Sequence, residues 1–147
     1  MICQTHPLGT LGTYKYVVIL SEYRGMWLLS RHRDRTTWET QGGHIEPGET
    51  PLDAAGRELY EESGAVDFEI TAVFDYYAAD DCGHANGMVF LAHIESLAPI
   101  PDSEMAEVRT VDDLPSEEIL TYPGITPVLF RHAVMRHQFL CKKETRL

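Results

Sequence analysis

Gly42-Gly43-His44-Ile45-Glu46-Pro47-Gly48-Glu49-Thr50-Pro51-Leu52-Asp53-Ala54-Ala55-Gly56-Arg57-Glu58-Leu59-Tyr60-Glu61-Glu62-Ser63-Gly64-Ala65 reads as a loop that hands over to a helix. The glycine pair and Pro47-Gly48 are punctuation that bends a backbone. Thr50 suits an N-cap, Pro51 the first helical position, and Asp53 the positive end of the helix dipole. Gly64 is the expected left-handed stop. The spacing predicts a helix over 51–63. Leu52, Ala55, Gly56, Leu59 and Ser63 share one side of it, small or apolar enough to lie on a sheet. Glu58 and Glu62 are four apart on another side, with Glu61 at its margin. Bringing like charges together costs about 0.2–0.5 kcal/mol per exposed pair, so folding does not reward the arrangement. A divalent cation would: magnesium takes carboxylate oxygens, keeps several waters and often completes its shell with substrate phosphates. Three glutamates alone are better explained as a solvated acidic face.

The full spacing is more telling. Gly43, Glu49, Arg57-Glu58, Leu59, Glu61-Glu62 and Gly64 stand without a gap at the offsets of the signature box of the Nudix (MutT-like) hydrolases, and the chain resembles that family over 43–65, about a sixth of its length. Two positions depart from the family's habit. Ala65 is smaller than the usual aliphatic, and Gln41 stands where proline is common before the glycine pair. Neither is an acidic ligand.

Length and composition agree with one globular domain over 1–147. Apolar content of 44% and charged content of 24% are ordinary for a folded chain. No apolar run is long enough to span a bilayer, and the N-terminus lacks a charged start followed by an apolar stretch, so neither a membrane protein nor a secreted one is expected. Cys3, Cys82 and Cys141 are odd in number and widely spaced, which suits a reducing cytoplasm and argues against zinc. The net charge of −11 is uneven: from Arg131 onward there are five basic residues and one acid, leaving −15 on the first 130. Such a body should repel a long nucleic acid at range. A small phosphorylated metabolite arriving with its metal meets a locally neutralised field.

The flanks supply the sheet. Tyr14 to Glu22 and Met26 to Arg31 read as strands joined by a turn at Tyr23-Arg24-Gly25. The basic run Arg31-His32-Arg33-Asp34-Arg35 follows, and Trp38, expected in the core, leads into the box. Asp67 to Tyr77 alternates, with Phe68, Ile70, Ala72 and Phe74 on one side. Ala78 to Gly87 reads as a polar loop holding Asp80, Asp81, His84 and Asn86; a second metal site there is the sharper reading and ordinary loop polarity the plainer one. Met88 to Glu95 and Val108 to Val111 are further strands, and Ser116 starts a short helical turn. A last helix from Ile125 to about Lys142 should turn Ile125 or Val128, His132, Met135 and Phe139 inward, with Lys142, Lys143 and Arg146 complementing its dipole.

The resemblance implies an α+β fold, the Nudix α/β/α sandwich with a mixed sheet between helices. It implies hydrolysis of a nucleoside diphosphate linked to another moiety, with Mg2+ or Mn2+ as cofactor and a small nucleotide as substrate. Carried onto this chain, Glu58, Glu61 and Glu62 and the Gly42 carbonyl are the metal ligands. Glu58, Glu61 or Glu107 supplies the general base, Glu107 being preferred to Glu104 as the carboxylate beside the later strand. Glu49 and Arg57 form a supporting ion pair, and Arg31 and Asn86 are candidate substrate contacts. Relatives often pair as homodimers, and the sequence leaves that state open. Relatives acting on ADP-ribose tend to carry a downstream proline where this chain has Ala79-Asp80-Asp81, and dinucleoside polyphosphate enzymes a tyrosine near Cys82-Gly83. Their absence favours nucleoside triphosphates, oxidised purine deoxynucleotides included, over ADP-ribose, nucleotide sugars or dinucleoside polyphosphates. Two readings of another class stay open: an isopentenyl diphosphate isomerase-like enzyme using Cys3 and His6, and a nucleotide sensor without turnover.

Overall fold

Local signals alone account for the helix at the centre of the box. In the computed structural model, which describes residues 1–145 with backbone alone for 136–145, helix α1 spans Pro51–Ser63. Thr50 Oγ1 accepts from the Asp53 N–H and Asp53 Oδ2 from the Thr50 N–H, both at 3.1 Å, a reciprocal capping box. Gly64 closes the helix at φ 82°, its N–H on the Tyr60 carbonyl at 2.8 Å. A Cβ there would also collide with the Ala98 carbonyl, so both backbone angle and space call for glycine. The buried face is Ala54, Ala55, Leu59 and Ser63. Leu52, predicted to face the sheet, is instead exposed, and Ala54 is buried in its place.

Seven strands make one mixed sheet: β1 (Ile2–Pro7), β2 (Tyr16–Tyr23), β3 (Met26–His32), β4 (Gln41–His44), β5 (Ala65–Asp80), β6 (Gly83–Leu97) and β7 (Met105–Val111). The order is β1-β5-β6-β2-β3-β7, with β4 also on β2. β2 and β6 run parallel, and the other named pairs are antiparallel. On its other edge β2 forks. Its first half, Tyr16 to Ile19, pairs with β4, and its end, Ser21 to Tyr23, with β3. The β2–β3 turn places Arg24 at φ 54° and Gly25 at φ 79°, the two positive angles that match a hairpin's twist.

One face of the sheet carries α1 over Val17, Ile19, Leu28, Phe90 and Ile94. The other carries helix α2 (Thr126–Thr145) through Leu129, Phe130 and Ala133 onto Leu20, Leu29, Trp38, Phe74 and Val89. This is the α/β/α sandwich. Trp38 is in the core, as its composition suggested. The inward stripe of α2 differs from the predicted one: Met135 is exposed, while Thr126, Leu129, Phe130 and Ala133 are buried and His132 packs edge-on against Phe74. Phe139, Lys142, Lys143 and Arg146 lie outside the described side chains.

Three further differences have physical causes. Phe74 sits on the α2 face, whereas Phe68, Ile70 and Ala72 sit on the α1 face, because the register slips between Ala72 and Phe74. One extra residue in a strand reverses which side the following residues face. The segment 78–87 is not a loop but the tip of the β5–β6 hairpin, pairing from Ala78↔Ala85 to Asp80↔Gly83. Asp80 Oδ1 accepts from the Cys82 and Gly83 N–H groups and closes the turn, so polarity there reflects turn chemistry. Residues 2–7 form an edge strand on β5 that polar composition concealed.

Candidate active site

The fork in β2 leaves a gap between β4 and β3, and Gln41 fills it. Its Oε1 accepts from Ser21 Oγ at 2.7 Å, and its Nε2 donates to the Leu28 carbonyl at 3.2 Å and to Ser30 Oγ at 2.8 Å. Ser30 Oγ in turn donates to the Glu62 carbonyl at 2.8 Å. Every polar group of this fully buried side chain is matched, as a dry interior requires. The chain of bonds ties the box strand to the last turn of α1.

Glu62 is thereby held twice, since its Oε1 accepts the Gly42 N–H at 2.7 Å. Glu58 reaches the neighbouring glycine: a Cβ on Gly43 would fall 2.5 Å from Glu58 Oε1, so the carboxylate occupies space that only glycine leaves open. The two acids therefore converge on the glycine pair from one side of the helix. Arg57 binds Glu49 through two bonds of 2.8 Å, from Nε to Oε2 and from Nη2 to Oε1, and donates from Nη2 to the His44 carbonyl at 3.1 Å. Its Nη1 donates to Glu58 Oε1 at 2.8 Å and to Glu61 Oε2 at 3.4 Å.

These contacts set the electrostatics. Hydrogen bonding to Arg57 holds the Glu49 carboxyl down to about 2. Burial pushes Glu58 up despite Arg57. Burial pushes Glu62 up to about 9, against the Gly42 N–H and helped by the charges of Glu58, Glu39 and Glu104. A cation beside these carboxyls would favour their charged forms.

A cavity of about 460 Å³ opens at the fork, within the range of small-ligand sites. Glu62, Gly42 and Gly43 line it, whereas Glu58 does not. Tyr16, His44, Tyr76, Tyr122, Arg35 and Glu39 form much of the remaining wall, with His32 and Glu104 at the β3–β7 side. The Tyr16 and His44 rings lie 4.5 Å apart, tilted by 50°.

The other predicted residues sit elsewhere. Arg31 Nε donates to Glu107 Oε1 at 2.7 Å across β3 and β7, and neither lines the cavity. The register slips between Arg31 and His32, and it is Glu104, at 3.6 Å from His32 Nε2, that reaches the cavity wall. Asn86 accepts from the Lys15 N–H and donates to the Thr13 carbonyl, fastening the segment before β2. Cys3 lies against the α2-side core, and burial raises its thiol's pKa, the opposite of an activated nucleophile. Sequence reading passed over Arg35 and Glu39, which are distant from the box motif in chemistry and meet the cavity only through the fork. The buried charge of Glu39 leaves no signal in composition.

Hard, anionic oxygen donors suit magnesium or manganese. Among the described residues no three His, Cys, Asp or Glu side chains converge on one point. Two carboxylates, Glu58 and Glu62, with substrate phosphate oxygens and water, suffice for such an ion. When bound, it would act as Lewis acid on the phosphoryl group and lower the pKa of attacking water.

In this α/β/α sandwich two glutamates of α1 converge on the glycine pair, and one of them, Glu62, lines the cavity. The chain belongs to the Nudix family, whose domain model matches residues 14–137. A mutant of the Bacillus subtilis pyrophosphohydrolase BsRppH superposes with a TM-score of 0.68 at 26% identity, covering 78% of this chain and 73% of that one. RNA pyrophosphohydrolase of Francisella tularensis subsp. mediasiatica is 39% identical over 75 residues, 49% of this chain and 47% of that protein. YtkD of Bacillus subtilis (strain 168), provisionally named an 8-oxo-dGTP diphosphatase, is 45% identical over 51 residues, 35% of this chain and 32% of that protein. The matches thus span a third to a half of these curated relatives.

Proposed function

We propose that the protein is a metal-dependent pyrophosphohydrolase that cleaves a phosphoanhydride bond of a small nucleotide, with (d)NTPs, oxidised purine deoxynucleotides included, as the leading class. The observation that carries this reading is the convergence of Glu58 and Glu62 on Gly42-Gly43, with Glu62 and both glycines lining a nucleotide-sized cavity. Mg2+ or Mn2+ is the cofactor, held by Glu58 and Glu62 with Glu61 and the Gly42 carbonyl in reserve. Glu58 is the candidate base, and Glu61 and Glu107 are its alternates. Glu107 would have to leave Arg31 to serve. Free thiols at Cys3 and Cys82 fit a cytoplasmic setting.

Release of phosphate and pyrophosphate across (d)NTPs, 8-oxo-dGTP, ADP-ribose, dinucleoside polyphosphates and nucleotide sugars, beside Glu62→Gln, tests the reading. Turnover of one class, lost in the variant, supports it; no turnover with either metal refutes it. The names of the relatives favour a second reading, removal of pyrophosphate from a 5′-triphosphorylated RNA. The net charge of −11 opposes that substrate, and a triphosphorylated oligonucleotide in the same panel decides between them.

A further inference from the structure

We propose that Tyr76, through its hydroxyl, is a specificity-determining contact to the nucleoside part of the ligand. The proposal rests on the cavity being the nucleotide site.

Tyr76 is only 4% exposed, and it lines the cavity from β5. Gly87 makes room for it. Gly87 stands opposite Tyr76 in the β5–β6 pairing, inside a strand, where glycine is a poor choice. It is not among the glycines with positive φ, so the backbone angle does not call for it. Space does: a Cβ at 87 would fall 2.7 Å from Tyr76 Cε1 and 2.5 Å from the Tyr16 carbonyl oxygen. The ring therefore leans from β5 across β6 toward β2, into the room that a side chain at 87 would take. Tyr16, whose strand it approaches, and Tyr122 both line the cavity, and both are close enough to act electrostatically on the Tyr76 hydroxyl.

A buried tyrosine hydroxyl normally has a partner within the protein. Tyr14, for example, donates to Asp75 Oδ2 at 2.8 Å. Among the described residues the Tyr76 hydroxyl has no hydrogen bond, and no side-chain oxygen or nitrogen there is both sealed from solvent and unpartnered. The hydroxyl therefore has open surface, and the lean of the ring puts that surface in the cavity.

A ligand that fills the cavity takes the place of water at such a group, and has to supply the hydrogen bond or lose affinity. A site with a polar group to satisfy rejects a ligand that leaves it unmatched. The strand register says which part of a nucleotide comes within reach. Tyr76 pairs with Gly87, Gly87 with Tyr16, and Tyr16 with His44, so β5 lies three strand spacings, about 14 Å, from the strand bearing the glycine pair. The lean of the ring recovers about one spacing and leaves about 10 Å. Phosphates held beside Gly42, Gly43 and Glu62 leave that gap to the nucleoside. Burial pushes the hydroxyl's pKa up, so it stays an intact O–H that binds and takes no part in proton transfer.

Calorimetric binding of GMP, AMP, CMP and UMP with Mg2+, to the wild-type protein and to Tyr76→Phe, tests this, with ribose 5-phosphate and inorganic pyrophosphate as shorter probes. The mononucleotides have no phosphoanhydride bond, so the result stands whether or not hydrolysis is found. Phenylalanine keeps the ring over Gly87 and removes an oxygen with no partner among the described residues, so the variant should keep the wild-type Tm. The tightest mononucleotide should bind about five- to tenfold more weakly, the worth of one hydrogen bond, and pyrophosphate should bind as before. A loss that extends to ribose 5-phosphate assigns the contact to the sugar; a loss confined to mononucleotides assigns it to the base. Unchanged mononucleotide affinity in the folded variant overturns the proposal. So does an equal loss for pyrophosphate, which would set the hydroxyl against the phosphates. No mononucleotide binding by the wild-type protein would overturn it together with the reading of the cavity. A loss in the variant with no triphosphate turned over would leave it standing and remove the hydrolase reading.

Discussion

Gly43→Ala separates the packing of the box from its chemistry. Gly43 is not among the glycines with positive φ, so its backbone accepts alanine. The new methyl would lie 2.5 Å from Glu58 Oε1 and 2.7 Å from its Cδ, where ordinary contact begins at 3.4 Å. The carboxylate therefore has to retreat by about 0.9 Å, the difference between the two distances. The displaced group is the end of a flexible side chain, so the fold should lose no more than about 1 kcal/mol, the lower end of overpacking costs. That is about 4 °C in Tm for a chain of this size. A shift of about 1 Å in a reacting group costs on the order of 10²-fold in rate, or about 2.7 kcal/mol of barrier. Thermal unfolding, Mn2+ binding and kcat on the best substrate measure the three effects separately. Wild-type kcat and metal affinity in a stably folded variant would refute the role assigned to the Glu58–Gly43 contact. A variant that unfolds would show that the methyl strains the backbone rather than the carboxylate.

Glu62 should make metal-free stability fall as pH rises. Its ordinary value is 4.5 and its folded value about 9, so between those limits the native state holds a proton that the unfolded chain has lost. Tm of the chelator-treated protein should decline across that window, and Glu62→Gln should flatten the decline and bind Mn2+ far more weakly. Glu49 behaves in the opposite sense: its carboxyl is held down to about 2, so its contribution is complete above 4.5 and is lost as pH falls toward 2. Arg57→Lys cannot make both bonds to Glu49 and still reach Glu58, so the Glu49 carboxyl, followed by NMR, should titrate closer to 4.5. Asp75→Asn should cost about 1–3 kcal/mol in denaturant unfolding, because buried Asp75 accepts from the Gly9 and Leu11 N–H groups and the Tyr14 hydroxyl.

Much of the centre of this protein is written locally. Thr50, Pro51, Asp53 and Gly64 specify α1 through bonds spanning at most four residues, and such signals survive in a sequence because no distant partner is needed. The same stretch places Glu58 and Glu62 one turn apart, and Arg57 within reach of Glu49, whatever lies around them. The tertiary structure decided the rest. Phe74 changed faces because a register slip is a property of two paired strands. The hairpin tip at 80–83 passed for a loop because turn and loop share their residues. Glu104 rather than Glu107 lines the cavity, because the bulge opposite His32 re-aims β7. Arg35 and Glu39 come to line a cavity only because the fork in β2 opens one beside them. A sequence records which charges a chain carries. Which of them is buried and turned toward a ligand depends on contacts between distant strands, and Gln41, one residue before the glycine pair, is where those strands are pinned together.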